Sequence, residues 1–329
     1  ACTVVVVPTV ALALDQARQF GALWKRRHPR SQIGRFAWHH AIADEDKLAI
    51  KQQLRSGRQP ILFTSPESVV GSLRMAIFDA ARQGYLKYLV IDEAHLVAQW
   101  GDSFRPEFQS LAAFRRALLE AAPSEGFKTV LMTATLTREA LATLELLYAE
   151  EGRAQLLASV HLRSEPRYWF ARAEHEGDQQ RKVLEVLRHA PRPLVLYVTE
   201  VEKAKQWVAL LRRQGYERVG CFHGETGARD RERLVEQWAA DTLDIMVATS
   251  AFGVGIDKRD VRCVLHACVP ESLDRYYQEV GRGGRDGAAS AAIAVYTDAD
   301  ERTARGIAIP SLITPELGLQ RWEQMLNHA

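Results

Sequence analysis

Two arginines and four glycines lie close together in YYQEVGRGGRDG, residues 276–287. Glycine tolerates unusual dihedral angles and lets a backbone approach a ligand closely, whereas the arginine fork binds phosphate oxygens. The combination of Arg282 and Arg285 with these glycines indicates a polyphosphate ligand. Other segments of the sequence must identify that ligand.

A pair of carboxylates follows an apolar run in YLVIDEAH, residues 88–95. Asp92 could hold Mg²⁺ through its oxygen atoms, and Glu93 could orient and polarise a water molecule for attack on a phosphoryl group. Alternatively, the two residues only cap a following helix, since carboxylates favour helix N-termini. This alternative is weakened because TVLMTATLT and the arginine-rich segment follow.

The elements that must position these residues alternate along the chain. Apolar residues recur at helical spacing in segments such as 11–27 and 201–215, with charged residues on the other face. Short β-branched runs predict buried strands at residues 3–7, 61–64, 88–92, 129–133, 194–198 and 244–249. The alternation predicts an α/β fold with mostly parallel sheets flanked by helices.

Composition is that of an ordinary globular protein. The chain has 329 residues, of which 47% are hydrophobic and 26% are charged, and its net charge is +2. No apolar run approaches the roughly 18 residues of a membrane-spanning helix, and the opening residues lack the charged region of a signal peptide. We therefore expect a cytoplasmic protein with no membrane partner. The four cysteines form no CxxC pair, so neither a cysteine metal site nor a disulfide framework is indicated.

A polar stretch at residues 161–180 interrupts the strand pattern and places a domain boundary near residue 165. The predicted division is a first domain at 1–164, a second at 165–300 and a C-terminal tail of unknown role at 301–329. Ligands bind beyond the carboxyl ends of parallel strands. Carboxylates of the first domain and arginines of the second could therefore meet a nucleotide across a cleft, and domain movement would be coupled to hydrolysis.

Taken together, the motifs resemble those of the RecQ-like branch of superfamily 2 DNA helicases, from roughly residue 3 to residue 297. DEAH resembles motif II, TAT at 133–135 motif III, and YYQEVGRGGRDG motif VI. The other matching segments are VVVPTVALALDQ for motif Ia, TSPES for Ib, LVLYVTEVEKA for IV, CFHGE for the turn after it, and VATSAFGVGIDKRDV for V. The resemblance implies two RecA-like domains, the first incomplete at its N-terminus.

The segment HLVAQWGDSFRPEF, residues 95–108, resembles the aromatic-rich loop that marks RecQ-like enzymes. Its aromatic residues could stack on bases of single-stranded nucleic acid while the guanidinium binds phosphate or stacks. A packed core between a strand and a helix is the alternative interpretation. The residues concerned are Trp100, Phe104, Arg105 and Phe108.

The resemblance also implies a role for each matching residue. Asp92 would hold Mg²⁺, Glu93 would be the general base, and Arg282 and Arg285 would contact the γ-phosphate of ATP. The implied nucleotide contacts are completed by Gln278, Asp257 and Gly255, with His95 coupling the glutamate to the aromatic loop. The implied contacts to nucleic-acid phosphates are Thr9, Thr64, Thr199 and Thr249.

The sequence departs from the family pattern in two places. The P-loop GxxxxGK(S/T), which binds the β- and γ-phosphates, does not occur in these 329 residues. We therefore expect these residues alone to hydrolyse ATP negligibly and to be a fragment of a longer helicase. No cysteine follows Cys268, so the family's four-cysteine zinc region does not occur here either. Either the fragment stops early or the protein belongs to a divergent RecQ-like group, and the different residues after motif VI favour the second interpretation.

The function that these observations predict is an ATP- and Mg²⁺-dependent 3′ to 5′ DNA helicase core. Its expected partners are single-stranded and partly duplex DNA, and the sequence leaves protein partners open. An RNA helicase of the DEAH type is one alternative, against which the aromatic-rich loop argues. A nucleic-acid-binding module that no longer hydrolyses ATP is the other.

Overall fold

The computed structural model describes residues 1–98, 106–149, 154–159, 162–253, 258–309 and 314–328. The chain divides into two compact units, Ala1–Leu157 together with Ser311–Ala329 (unit 1) and Ala158–Pro310 (unit 2). Each unit is a parallel sheet flanked by helices, which confirms the predicted fold class. Within the described ranges, no helix combines the length and the apolar character that a membrane crossing requires.

Unit 1 contains a four-stranded sheet in the order β2-β1-β3-β4. Its strands are β1 (Cys2–Val6), β2 (Ile61–Thr64), β3 (Leu86–Ile91) and β4 (Lys128–Leu131). A 3-10 segment, Ala94–Ala98, follows β3. The described helices are α1 (Val10–Arg27), α2 (Asp44–Arg55), α3 (Pro66–Val70), α4 (Arg74–Arg82), α5 (Pro106–Ala121), α6 (Arg138–Tyr148) and, at the end of the chain, α12 (Pro315–His328).

Both faces of the unit 1 sheet are covered by apolar side chains. Val4 and Val6 of β1 point into one core, whereas Val5 and Val7 point into the other, as the two-residue period of a strand requires. The first core includes residues of α2 to α6, and the second is closed by α1. Since strands buried on both faces read as continuous apolar runs, this packing explains the run VVVV.

Unit 2 contains a six-stranded sheet in the order β5-β10-β9-β6-β8-β7. Its strands are β5 (Pro166–Arg172), β6 (Leu194–Tyr197), β7 (Val219–Phe222), β8 (Ile245–Ala248), β9 (Cys263–His266) and β10 (Ser290–Tyr296). Its helices are α7 (Glu176–His189), α8 (Val201–Arg213), α9 (Ala228–Ala239), α10 (Leu273–Val280) and α11 (Asp298–Ala308). The central strand β6 again alternates between two cores, with Leu194 and Leu196 in one and Val195 and Tyr197 in the other.

Strand β5 corrects one expectation, because the stretch 161–180 was predicted to be poor in strands. Residues 166–172 pair in parallel with β10 along their whole length. As the outermost strand, β5 leaves Trp169 and Phe170 50% and 63% exposed. The stretch therefore shows neither the buried apolar run nor the alternation on which strand prediction depends.

Threonine side chains start several of these helices. The hydroxyl oxygens of Thr9 and Thr137 accept hydrogen bonds from the amides of Leu12 and Ala140, which caps α1 and α6. A complete capping box between Thr297 and Asp300 starts α11. The last helix, α12, packs against α5 within unit 1.

Candidate functional site

The carboxylates predicted to act on a nucleotide lie directly beyond the carboxyl end of β3. The Asp92 amide donates to the carbonyl of Val6 at 2.9 Å, which continues the pairing of β3 with β1 by one residue. Glu93 then takes a φ of 51°, in the left-handed region that residues other than glycine rarely adopt. The Ala94 amide donates to the carbonyl of Met132 at 2.8 Å, and this holds the turn against the end of β4.

Because of this turn, the carboxylates of Asp92 and Glu93 contact different side chains. Asp92 Oδ1 accepts from the Glu93 amide at 2.9 Å, and Asp92 Oδ2 accepts from Gln16 Nε2 of α1 at 3.1 Å. Glu93 Oε2 lies 3.3 Å from His95 Nδ1 instead. Backbone strain of this kind persists where the surroundings enforce it, and it recurs at functional sites.

A hydrogen-bond chain joins His95 to the segment after β4. Thr133 Oγ1 donates its single proton to the carbonyl of Thr135 at 2.6 Å. The 2.8 Å contact between His95 Nδ1 and Thr133 Oγ1 must then have the imidazole as donor. Nδ1 therefore carries a proton and gives it to Thr133 Oγ1, while Glu93 Oε2 lies 3.3 Å from the same nitrogen. His95 thus lies in contact with both Glu93 and Thr133, a proximity that sequence spacing alone does not show.

The donor set around Asp92 fits a magnesium ion shared with a nucleotide. Among the residues that the structure describes, no group of three or more histidine, cysteine or acidic side chains could hold a metal by itself. Mg²⁺ is commonly held by one or two carboxylates together with substrate phosphates and waters. The Asp92 carboxylate, half-buried at the end of a strand, offers the hard oxygen ligands for such a site.

In unit 2, the arginines of YYQEVGRGGRDG occupy two different environments. Arg282 is buried, its Nη2 donates to the carbonyl of Gly253, and its guanidinium lies 5.9 Å from the ring centroid of Phe252. Arg285 is exposed, and its Nε donates to the carbonyl of Gly281 at 3.1 Å. Arg285 therefore presents its guanidinium at the surface, whereas Arg282 ties this segment to the residues after β8.

A third arginine fixes the same glycine-rich segment, and sequence analysis missed it. Arg163 Nη1 donates to the carbonyl of Gly281 at 2.8 Å, and its Nη2 donates to the carbonyl of Gly284 at 2.7 Å. Arg163 also lies 3.3 Å from Glu165. Its signal in the sequence is a lone arginine in a polar stretch, more than a hundred residues before its partners, so spacing could not reveal it.

The far end of the segment is held by an ion pair. Arg262 donates from both terminal nitrogens to the Asp286 carboxylate, with Nη1 at 3.0 Å from Oδ1. These hydrogen bonds, together with one from the Ala288 amide, hold the pKa of Asp286 well below its usual range. The loop is thus anchored at both ends, which leaves its geometry preorganised for a ligand.

Gly284 provides a measurable test of this geometry. Its φ is +62°, and an added Cβ would lie 2.4 Å from the carbonyl oxygen of Ala288. Gly287 has a φ of +85° with no atom within 4 Å of such a Cβ. Gly287→Ala is therefore expected to cost about 1 kcal/mol for the backbone conformation alone. Gly284→Ala, with the added clash, is expected to cost on the order of 3 kcal/mol.

Urea denaturation of the two glycine variants measures both costs. Equal losses of unfolding free energy would show that the turn at Gly284 relaxes, and that the anchoring described above does not hold the segment rigidly.

Of the three further nucleotide contacts implied by the resemblance, the structure describes one. Gln278 lies half-buried on α10, four residues before Arg282. Gly255 and Asp257 lie outside the described residues. The adjacent Lys258 is buried, and its ammonium group contacts the carboxylates of Asp241 at 2.5 Å and Asp260 at 3.1 Å.

The threonines predicted to contact phosphates fall into two groups. Thr9 and Thr199 are partly exposed, at the start of α1 and just beyond β6. Thr64 has no exposed surface, and Thr249 is 5% exposed with its amide bonded to the carbonyl of Phe222 at 3.2 Å. Thr64 and Thr249 thus lie at the ends of strands inside the packed sheets, and phosphate contact by all four threonines stays a prediction.

The aromatic-rich loop is described only in part. Trp100, Phe104 and Arg105 lie outside the described residues. Phe108 belongs to α5 and is completely buried in the core of unit 1, where its carbonyl accepts from the Tyr148 hydroxyl at 3.2 Å. The prediction that Phe108 stacks on a base is therefore wrong in this structure, and the alternative of a core residue holds for it.

Comparison with known families assigns both units. The family of DEAD/DEAH box helicases matches residues 1–144. The helicase conserved C-terminal domain matches residues 178–287. The first match contains Asp92, Glu93, His95 and Thr133, and the second contains both arginines of the glycine-rich segment.

The curated relatives indicate which group of helicases the chain is most similar to. The chain is 28% identical over 300 residues to the probable ATP-dependent DNA helicase RecS of Bacillus subtilis, covering 90% of this chain and 56% of that protein. It is 31% identical over 301 residues to the RecQ-like DNA helicase blm-1 of Caenorhabditis elegans, covering 89% of this chain and 30% of that protein. The chain thus spans about half, or less, of these relatives.

The fold has solved counterparts as well. The DUF1998 helicase MrfA, solved bound to DNA and AMPPNP, superposes with a TM-score of 0.71 at 17% identity, covering 99% of this chain and 47% of that one. At this identity the likeness concerns the fold alone. With the two family matches, the RecQ- and RecS-type relatives and the described motifs in agreement, the chain belongs to the RecQ-like group of DEAD/DEAH box helicases.

Proposed function

We propose that this chain is the motor core of an ATP-dependent DNA helicase that moves 3′ to 5′ along single-stranded DNA and unwinds duplexes. The observation that carries the proposal is the position of His95, whose Nδ1 lies 3.3 Å from Glu93 Oε2 and 2.8 Å from Thr133 Oγ1. A glutamate positioned in this way beside a magnesium-binding aspartate suits attack of water on a phosphoryl group. The family of the chain and the names of its relatives support the same chemistry.

The proposed roles follow from the position of each side chain. Asp92 holds the Mg²⁺ that accompanies ATP, and this ion neutralises charge on the phosphates. Glu93 accepts a proton from the attacking water. His95 packs beside Glu93 and donates its Nδ1 proton to Thr133.

The remaining nucleotide contacts are assigned to unit 2. Arg285, with its exposed guanidinium, and Arg282 stabilise the negative charge of the γ-phosphate. Gln278 contacts the bound nucleotide, and Asp257 and Gly255 contribute to the same site. Of the two arginines, Arg282 has the additional task of holding the carbonyl of Gly253.

Single-stranded and partly duplex DNA are the proposed partners. Thr9 and Thr199, partly exposed beyond the carboxyl ends of strands in the two units, contact phosphates. Trp100, Phe104 and Arg105 form a stacking surface that connects DNA binding to hydrolysis. Because His95 lies at the start of the same segment, a change in this loop would reach Glu93 through one side chain.

Trp100→Ala tests the proposed coupling. In the full-length gene product, we expect it to weaken the stimulation of ATP hydrolysis by single-stranded DNA about tenfold, in line with the loss of one stacked base, while basal hydrolysis stays unchanged. Trp322→Ala removes a tryptophan that is 59% exposed on α12 and serves as the control. Stimulation that survives in Trp100→Ala at the control level would refute the coupling role of the loop.

ATP hydrolysis is proposed to need a P-loop, and these 329 residues contain no such motif. The lysine and backbone amides of a P-loop supply the main contacts to the β- and γ-phosphates. The 329-residue chain assayed by itself should therefore show negligible turnover. Strong hydrolysis by the isolated chain would contradict this.

The choice of nucleic acid decides between this function and its alternative. The names of the relatives, all DNA helicases where the substrate is stated, do not favour an RNA helicase of the DEAH type. The direct test compares hydrolysis by the full-length gene product with single-stranded DNA and with RNA of the same sequence. Stimulation by DNA alone supports the proposal, and stimulation by RNA alone would reverse it.

A further inference from the structure

The C-terminal end of α1 carries a dense and exposed positive charge. Residues 25–30 have the sequence KRRHPR, and every one of them is exposed. Within the described parts of the chain, Lys25, Arg26, Arg27 and Arg30 have no carboxylate within the 4.0 Å of an ion pair. Most other lysines and arginines around α1 and α2 form an ion pair, such as Arg35, whose Nε lies 2.7 Å from Asp46. We call these four residues the basic patch.

The basic patch is held in place by an aromatic stack. The indole of Trp24 stacks with the rings of Phe20, at a centroid distance of 5.8 Å, and His28, at 3.9 Å. Trp24 Nε1 donates to Ser31 Oγ at 3.0 Å, which ties the chain after the helix back to its last turn. The charges therefore project from a defined surface.

The basic patch lies far from the predicted nucleotide and single-strand contacts. Thr9 begins α1 beyond the carboxyl end of β1, and the helix then runs for 18 residues. At 1.5 Å per residue, its last turn lies about 27 Å away, toward the amino ends of the strands. Asp92 and Glu93 lie at the carboxyl ends, so the basic patch is a separate surface of unit 1.

Helix stability explains only part of this charge. Cations in the last turn of a helix interact favourably with its dipole, which accounts for one or two of the three basic residues there. Arg30 lies beyond the helix and gains little from the dipole, which acts within the last turn. Four like charges in six residues also repel one another, so the arrangement suits a surface that meets an anion.

We propose that the basic patch binds the phosphate backbone of double-stranded DNA. The ring of Trp24 already stacks with Phe20 and His28, so contacts to the nucleic-acid backbone are the interaction that the basic patch offers. A duplex presents one negative charge per about 1.7 Å of its axis, compared with one per about 3.4 Å for each strand. It therefore offers the four cations of the basic patch more phosphates within reach than a single strand does. The apolar face of α1 packs on Phe36 and Phe63 of unit 1, so it cannot insert into a lipid surface.

The test is the triple variant Arg26→Gln, Arg27→Gln, Arg30→Gln of the 329-residue chain. Its binding to a blunt DNA duplex and to a single strand is measured by fluorescence anisotropy at several salt concentrations. Loss of three phosphate contacts should flatten the slope of log affinity against log salt concentration for the duplex by about 2.7. Duplex affinity should fall on the order of tenfold or more, and single-strand affinity should not change.

A matched control removes the same charge elsewhere in unit 1. Lys87, Arg116 and Lys128 are exposed and have no ion pair in the described parts of the chain, so Lys87→Gln, Arg116→Gln, Lys128→Gln is the comparison. Three results would overturn the proposal: an unchanged duplex slope, an equal loss in the control, or an equal loss on single strands. Loss of binding to anionic vesicles with duplex binding intact would also overturn it. Because single-strand binding is read separately, the helicase proposal does not depend on the outcome.

Discussion

Glu93→Gln is expected to lower DNA-stimulated ATP turnover at least about a hundredfold, with nucleotide and DNA binding unchanged. The amide keeps the size of the side chain and its place beside His95, whose Nδ1 lies 3.3 Å from Glu93 Oε2. The amide cannot accept a proton from water. The loss should therefore appear in kcat, with little change in KM.

Turnover is measured on the full-length gene product, with Glu145→Gln as the control. Glu145 is exposed on α6, and its carbonyl accepts from the Ala149 amide at 2.9 Å. If Glu93→Gln lost DNA affinity together with turnover, the role of the glutamate would be structural, because the strained turn at Glu93 would have collapsed.

Arg285→Ala is the second variant with a large expected effect. An arginine that stabilises charge on the transferred phosphoryl group accounts for about a thousandfold or more in turnover. Arg285→Lys should restore only part of it, since lysine lacks the planar fork. Arg285 is exposed and its Nε contact goes to the carbonyl of Gly281, so the thermal stability of unit 2 should be nearly unchanged.

The matched control for Arg285→Ala is Arg188→Ala on α7, an exposed arginine of the same unit. Arg282→Ala should differ from both variants, because the buried guanidinium also holds the carbonyl of Gly253. We expect that variant to lose stability as well as turnover. Full turnover in Arg285→Ala would remove the assignment of the surface arginine to the γ-phosphate.

Sequence reasoning predicted the buried parts of the fold well, because period and composition are local signals. The runs at 61–64 and 194–198 became β2 and β6 to within one residue. It failed for β5, whose aromatic residues lie exposed on the edge of a sheet. It also failed for Phe108, because a motif names a residue type and does not say whether the side chain points to solvent.

Contacts between distant residues were beyond sequence reasoning. The donors of Arg163 reach carbonyls at Gly281 and Gly284, and no local pattern relates positions so far apart. The proton on His95 Nδ1 could be assigned only once Thr133 was seen to donate elsewhere. The sequence therefore predicted which residues are candidates for catalysis, but it did not predict the interactions that position them.

The most direct test of the motor is ATP hydrolysis by the full-length gene product, with and without single-stranded DNA, alongside Glu93→Gln. Strong turnover that depends on DNA and disappears in the variant is the result that the proposed function predicts. Retained DNA binding with no turnover under any condition would contradict it, and would make the chain a nucleic-acid-binding module built on a helicase fold.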